Sequence, residues 1–174
     1  METISDLRLI KTGDTLLVSG HSWLAGKIQD IQKCKWNHAG MFYWCYDELM
    51  VIEADKPGVV PTSFSEYIQG KSHLLTLKPK FACDGSEYGK FMVPMLGKKR
   101  YGKLNLVFAQ PVKFFTNGRI WLGSNKDNPK RFICGQFVEY VYNHFNPDLF
   151  PNWKRDAPVD LYNSTHFNQY EFIR

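Results

Sequence analysis

The sequence predicts a single domain spanning residues 1–174 that mixes strands and helices, with a β-hairpin and a late helix that buries one face against a sheet. Three observations lead there. Two short runs rich in aromatic and branched residues, His38 to Trp44 and Leu49 to Ala54, flank Tyr46-Asp47-Glu48 and read as a β-hairpin. Late in the chain Cys134, Phe137, Val138, Val141, Tyr142 and Phe145 fall at i, i+3, i+4, i+7, i+8 and i+11. That is one helical stripe, and it must bury against a sheet. The chain has 174 residues, 44% of them hydrophobic, and no internal repeat or linker divides it.

The elements follow in order. Thr12-Gly13-Asp14 is a turn, and Thr15 to Val18 reads as a first strand. Ser22 can cap a helix carrying Leu24, Ile28 and Ile31 on one face. After the hairpin, Pro57-Gly58 breaks the pattern, and Ser63-Phe64-Ser65-Glu66 is a capping-box sequence opening a short helix that Gly70 can close. His73 to Leu77 reads as another strand. Tyr88, Phe91, Met92, Met95 and Leu96 have helical spacing, against which Pro94 counts. Residues 101 to 124 are ambiguous between helix and strand. Asn146-Pro147 stops the late helix, and the aromatic tail docks onto the core.

Composition excludes several classes. With 22% charged residues the chain is not disordered. No stretch approaches the roughly 18 apolar residues of a membrane-spanning helix. Residues 1 to 7 have neither a basic start nor an apolar run, so no signal peptide is read and a cytoplasmic location is expected. The net charge of +5 is dispersed in small groups such as Lys98-Lys99-Arg100 and Lys130-Arg131. No nucleic-acid fingerprint accompanies it, so no nucleic-acid partner is expected. The four cysteines, Cys34, Cys45, Cys83 and Cys134, form no C-x-x-C pair and are expected to be reduced thiols. No metal or cofactor is called for.

Cys134 opens the late helix, where unpaired N–H groups and the positive end of the dipole stabilise a thiolate. A free cysteine is also among the most buried residue types, so the same residue reads as a small core side chain. A thiol nucleophile needs a base, and histidine is the usual one. His38 begins the first hairpin strand, followed by the small residues Ala39 and Gly40. Glu53, on the partner strand among Val51, Ile52 and Ala54, is costly to bury unless it has a partner. An imidazole N–H would supply one. A turn centred on Asp47-Glu48 leaves His38 and Glu53 diagonal, whereas an earlier turn or a bulge would bring them face to face. His38 on the sheet face opposite Cys134 would end the enzyme reading.

These residues resemble a family. Gly13-Asp14 before a strand, Ser22-Trp23-Leu24 with Ile28-Gln29, Asn37-His38-Ala39-Gly40, Val51-Ile52-Glu53-Ala54 with Gly58-Val59, Phe132-Ile133-Cys134 opening a helix, and Pro158-Val159-Asp160-Leu161 together resemble the permuted papain-like branch of the NlpC-type cysteine peptidases, the YiiX-like group. The resemblance runs from about Gly13 to Leu161. The order His, Glu, Cys is its most specific feature, being the circularly permuted arrangement.

The resemblance implies an α+β, papain-like (circularly permuted NlpC-type) fold, an antiparallel sheet or partial barrel packed against helices. It implies Cys134 as nucleophile, His38 as base and Glu53 as orienter. It also implies hydrolysis of amide bonds such as those of cell-wall (peptidoglycan) stem peptides. Relatives such as lecithin:retinol acyltransferase move acyl groups. Tyr101 resembles the tyrosine of a family Gly-x-x-Tyr-Asp stretch, with one extra residue and Gly102 in the Asp position. For substrate binding, Trp36 and neighbouring aromatics suit a wall against an aliphatic group, and Lys130 and Arg131 could meet a carboxylate. The same residues also read as core aromatics and loop cations. The readings are a cysteine amidase or peptidase acting on a small peptide-like or acyl-amide substrate, an acyltransferase using the same thiol, or an idle binding module.

Overall fold

The computed structural model describes residues 2–21, 23–55, 58–69, 73–82, 84–97, 100–101, 131–151 and 157–172. Its centre is a mixed α/β arrangement around a seven-stranded sheet of order β1-β9-β6-β2-β3-β4-β5. The strands are β1 (Glu2–Ile4), β2 (Thr15–Ser19), β3 (His38–Cys45), β4 (Glu48–Asp55), β5 (Gly58–Ser63), β6 (His73–Pro79) and β9 (Phe167–Phe172). Every neighbouring pair in this sheet is antiparallel except β1 with β9. A separate short parallel pair joins β7 (Arg100–Tyr101) to β8 (Arg131–Phe132). The described helices are α1 (Trp23–Gln32), α2 (Phe64–Gln69), α3 (Gly85–Met92), α4 (Cys134–Phe145) and α5 (Pro158–Asn163).

Both faces of the sheet are covered. On one face Leu17, Ala39, Met41, Ile52, Ala54 and Leu75 pack against the stripe of α4. On the other Leu16, Val18, Phe42, Val51 and Leu74 pack with Phe64 of α2. Two-sided burial explains why β2 reads as a continuous apolar run rather than an alternating one, since all five of its residues are buried. Tyr142 ties α4 to the start of β2. Its hydroxyl donates to the Gly13 carbonyl at 2.6 Å and bonds the Thr15 hydroxyl at 2.9 Å.

Four details differ from the sequence reading. The hairpin turn is Tyr46-Asp47, one residue earlier than expected, because Cys45 pairs with Glu48 and Tyr46 takes a positive φ of 54°. Pro57-Gly58 does not end the sheet: β5 follows at once. Pro61 is tolerated there because β5 is an edge strand of this sheet and needs fewer ladder hydrogen bonds. The helix over residues 85–92 tightens into a 3-10 turn at Val93–Met95, where Pro94 cannot continue an α-helix. The aromatic tail is a strand, β9, inserted between β1 and β6. Ser22, Gly70, Cys83 and the ambiguous segment 102–124 lie outside the described residues.

Candidate active site

Register places the hairpin pair. Gly40 is opposite Glu53, so His38 lies two residues further along the same face, diagonal to the carboxylate. A diagonal neighbour is still within reach of a long side chain. Gly40 keeps that path open. A Cβ built on it would lie 2.5 Å from Val51 Cγ1 and 3.2 Å from Glu53 Cβ. The His38 Nε2–H hydrogen-bonds Glu53 Oε2 across the gap. A carboxylate can only accept, so the proton sits on Nε2, and Nδ1 is the nitrogen left for another partner.

Glu53 is 4% exposed, and each of its oxygens is satisfied. Oε1 accepts from the Thr62 hydroxyl, and Oε2 also accepts from the Tyr67 phenol. Burial alone would raise this carboxyl. The hydrogen bond and charge of His38, helped by Thr62 and Tyr67, outweigh burial and hold it below its ordinary range. Sequence reasoning did not find Thr62 or Tyr67. Thr62 is two residues beyond Val60, the partner of Glu53, and so shares its face. Seeing this required β5 to be read through a proline. Tyr67 lies on a helix the sequence did indicate, but nothing in the sequence shows which face that helix turns to Glu53.

Cys134 is the first residue of α4 and is 3% exposed. Its N-cap, Ile133, has no side chain that can accept from the first-turn amides, while the Gln136 side chain accepts the Ile133 N–H at 3.3 Å. Gly135 is required by packing. A Cβ there would lie 2.8 Å and 2.9 Å from the C and Cα of Ala157. The backbone leading into α5 therefore crosses directly over the first turn of α4.

Strand alternation puts His38 and Glu53 on the α2 face, opposite the face that α4 covers. That assignment by itself would separate His38 from Cys134. Face alone does not separate them: His38 is the first residue of β3 and Cys134 the first of α4, and a side-chain hydrogen bond with Cys134 and its charge act on His38. The effect shows on His38, whose side chain is 22% exposed. Burial pulls its pKa down, but the charge of Cys134 and a side-chain hydrogen bond with it, followed by the contact with Glu53, push it well above 6.5. The structure thus brings His38, Glu53 and Cys134 together from three separate elements. Such an arrangement can hold a proton at His38 next to a sulfur and keep the ring aimed by a fixed carboxylate.

The other expected site residues fare differently. Trp36 is 1% exposed and packs in the core, 6.0 Å from the Tyr162 ring, so it is not an open ligand wall here. Tyr101 and Arg131 belong to the paired strands β7 and β8. Their side chains, and Lys130 altogether, lie outside the described residues. A cleft of about 1080 Å³, lined by residues including Lys11, Tyr43, Trp44 and Lys78, lies elsewhere. Tyr43 and Trp44 are five and six residues along β3 from His38, roughly 17–20 Å at strand rise. Neither His38, Glu53 nor Cys134 lines it. Among the described residues no three His, Cys, Asp or Glu side chains form a group able to hold a metal ion. The described cysteines Cys34, Cys45 and Cys134 are free thiols, and no described helix is long and apolar enough to cross a membrane.

No family model and no curated protein matches this chain. Among solved structures it is similar to the crystal structure of the metalloprotein yiiX from Escherichia coli O157:H7, with a TM-score of 0.57 and 15% sequence identity. The match covers 92% of this chain and 96% of that one. At such identity the likeness concerns the fold alone, and in overall fold the chain is similar to yiiX.

Proposed function

We propose that this chain is a cysteine-dependent hydrolase of the permuted papain-like type, cleaving an amide bond in a small peptide or acyl-amide through a covalent acyl-enzyme. The observation that carries the reading is the chain of contacts Cys134–His38–Glu53, with a proton held on His38 and its Nε2 committed to a buried carboxylate. A nucleophile, a base and an orienter are the parts that thiol acyl transfer uses.

In this mechanism the Cys134 sulfur attacks the carbonyl carbon as a thiolate, and the first-turn N–H groups of α4 face the developing oxyanion. The C–N bond breaks as the His38 imidazolium gives its proton to the leaving amine. Water then attacks the thioester, passing a proton back to His38. The C–S bond breaks, the acid leaves, and the thiolate–imidazolium pair is restored. Glu53 stays ionised throughout and keeps the ring oriented.

Two measurements test the reading. Iodoacetamide at neutral pH, followed by mass spectrometry, should label Cys134 faster than Cys45, although Cys45 is exposed and Cys134 buried. Equal or slower labelling of Cys134 would count against it. A panel of cell-wall peptide fragments and acylated amines should then reveal turnover that is lost in Cys134→Ala and His38→Ala. Turnover surviving Cys134→Ala would sink the mechanism, and acyl transfer without hydrolysis would make the chain a transferase.

A further inference from the structure

We infer that Tyr67 is a positioning residue for the Cys134–His38 pair, its phenol sharing Glu53 Oε2 with the imidazole and so setting the direction and basicity of the ring. The geometry is specific. Oε2 accepts both the His38 Nε2–H and the Tyr67 hydroxyl, while Thr62 takes the other oxygen. The three donors converge on one buried carboxylate from β3, α2 and β5, so none can drift without leaving an unsatisfied charge.

Tyr67 is itself held in place. It lies one turn along α2 from Phe64, whose buried ring packs against Phe42 and Phe172 at 5.1 Å and 5.2 Å between centroids. Burial, then the negative charge of Glu53, holds the phenol far above its ordinary range, so it remains a donor at any working pH. A hydroxyl donating to Oε2 draws negative charge away from the imidazole sharing that oxygen. Without it, the whole charge of Oε2 faces His38. The imidazolium then becomes more stable and a poorer proton donor to a leaving amine.

Only the kinetic consequence rests on the hydrolase reading; the titration of His38 tests the inference with no substrate present. The experiment follows the ¹⁵N-labelled histidine signals of the full chain by NMR against pH, with His38 assigned by comparison with His38→Gln. In Tyr67→Phe the His38 midpoint should move up by about half to one pH unit. With 3-fluorotyrosine in place of Tyr67, a stronger donor of nearly the same shape, it should move down. Opposite signs from these two changes are what a general loosening of the site would not produce. An unmoved midpoint, or the same direction in both, overturns the inference, as does loss of activity in Tyr67→Phe with His38 titrating as before. If Tyr67→Phe does not fold, the fluorotyrosine protein decides alone. A shifted midpoint in a protein that turns over no substrate would overturn the hydrolase reading and leave this one standing.

Discussion

Two glycines in helices should respond to alanine with opposite signs. Gly26 lies inside α1 with no heavy atom within 4 Å of a built Cβ. Gly26→Ala therefore gains helix propensity without a clash, about 1 kcal/mol of added stability. Gly135 lies in the first turn of α4, where the new methyl would stand 2.8 Å, 2.9 Å and 3.1 Å from Ala157 C, Ala157 Cα and Pro158 N. Ordinary contact begins at 3.4 Å, and all three atoms are backbone, so no rotamer relieves the overlap. The segment entering α5 must move instead. Overpacking costs about 1–3 kcal/mol, and two contacts under 3.0 Å against backbone put this one in the upper part, about 2–3 kcal/mol; less ~1 kcal/mol of propensity, the net loss is about 1–2 kcal/mol. For a chain of this size that lowers Tm by about 2–8 °C, against a rise of about 2–4 °C for Gly26→Ala. Thermal melts of the two variants beside the parent protein make the comparison. A Gly135→Ala protein as stable as the parent would refute the claim that the 157–158 backbone closes over α4.

Further outcomes follow from the site and its supports. Burial opposes the charge on Glu53 but its donors win, so its folded pKa is lowered and its contribution is present above about pH 4.5 and lost as pH falls through the folded value. For His38 burial is likewise outweighed, by Cys134 and then Glu53, so its contribution is present below about pH 6.5 and lost as pH rises through the raised folded value. Urea unfolding from about pH 3 to about pH 9 should show both limbs, and Glu53→Gln should flatten the acid one. Glu53→Gln should impair turnover less than His38→Ala does. The amide oxygen can face His38 and Tyr67 while the NH₂ donates to a Thr62 hydroxyl turned to accept, which preserves orientation without charge. Tyr142→Phe strands the Gly13 carbonyl and the Thr15 hydroxyl, and should cost about 1–3 kcal/mol in urea unfolding while leaving Cys134 alkylation rates unchanged.

Local patterns carried much of the architecture. The late helix was legible as a stripe because its apolar spacing matches 3.6 residues per turn over three turns, and α4 begins at Cys134 as that stripe does. The hairpin was legible because branched and aromatic runs surround a polar tip, although its turn sits one residue earlier than the tip suggested. Of the strands that escaped notice, β1, β7, β8 and β9 depend on partners far away in sequence, whereas β5 pairs with the neighbouring β4 and was hidden by its proline and by the break before it. Nothing local marks Phe167–Phe172 as lying between β1 and β6, or Gly58–Ser63 as an edge that accepts a proline.

The candidate site divides in the same way. By themselves the residues determined that Glu53, a carboxylate among apolar neighbours, must have a buried partner, and that Cys134 stands at a helix N-terminus; both follow from short-range chemistry. Only the tertiary structure decided that the partner set is His38, Thr62 and Tyr67, since three donors meet one carboxylate through the register of two strand pairs and the seating of α2. It also decided that Trp36 fills the core, where its ring packs near Tyr162 and is shut off from solvent. Alternation along β3 argues that His38 and Cys134 belong to opposite faces. They are coupled nonetheless, one being the first residue of its strand and the other the first of its helix, and periodicity within a strand carries no information about what lies beyond its end.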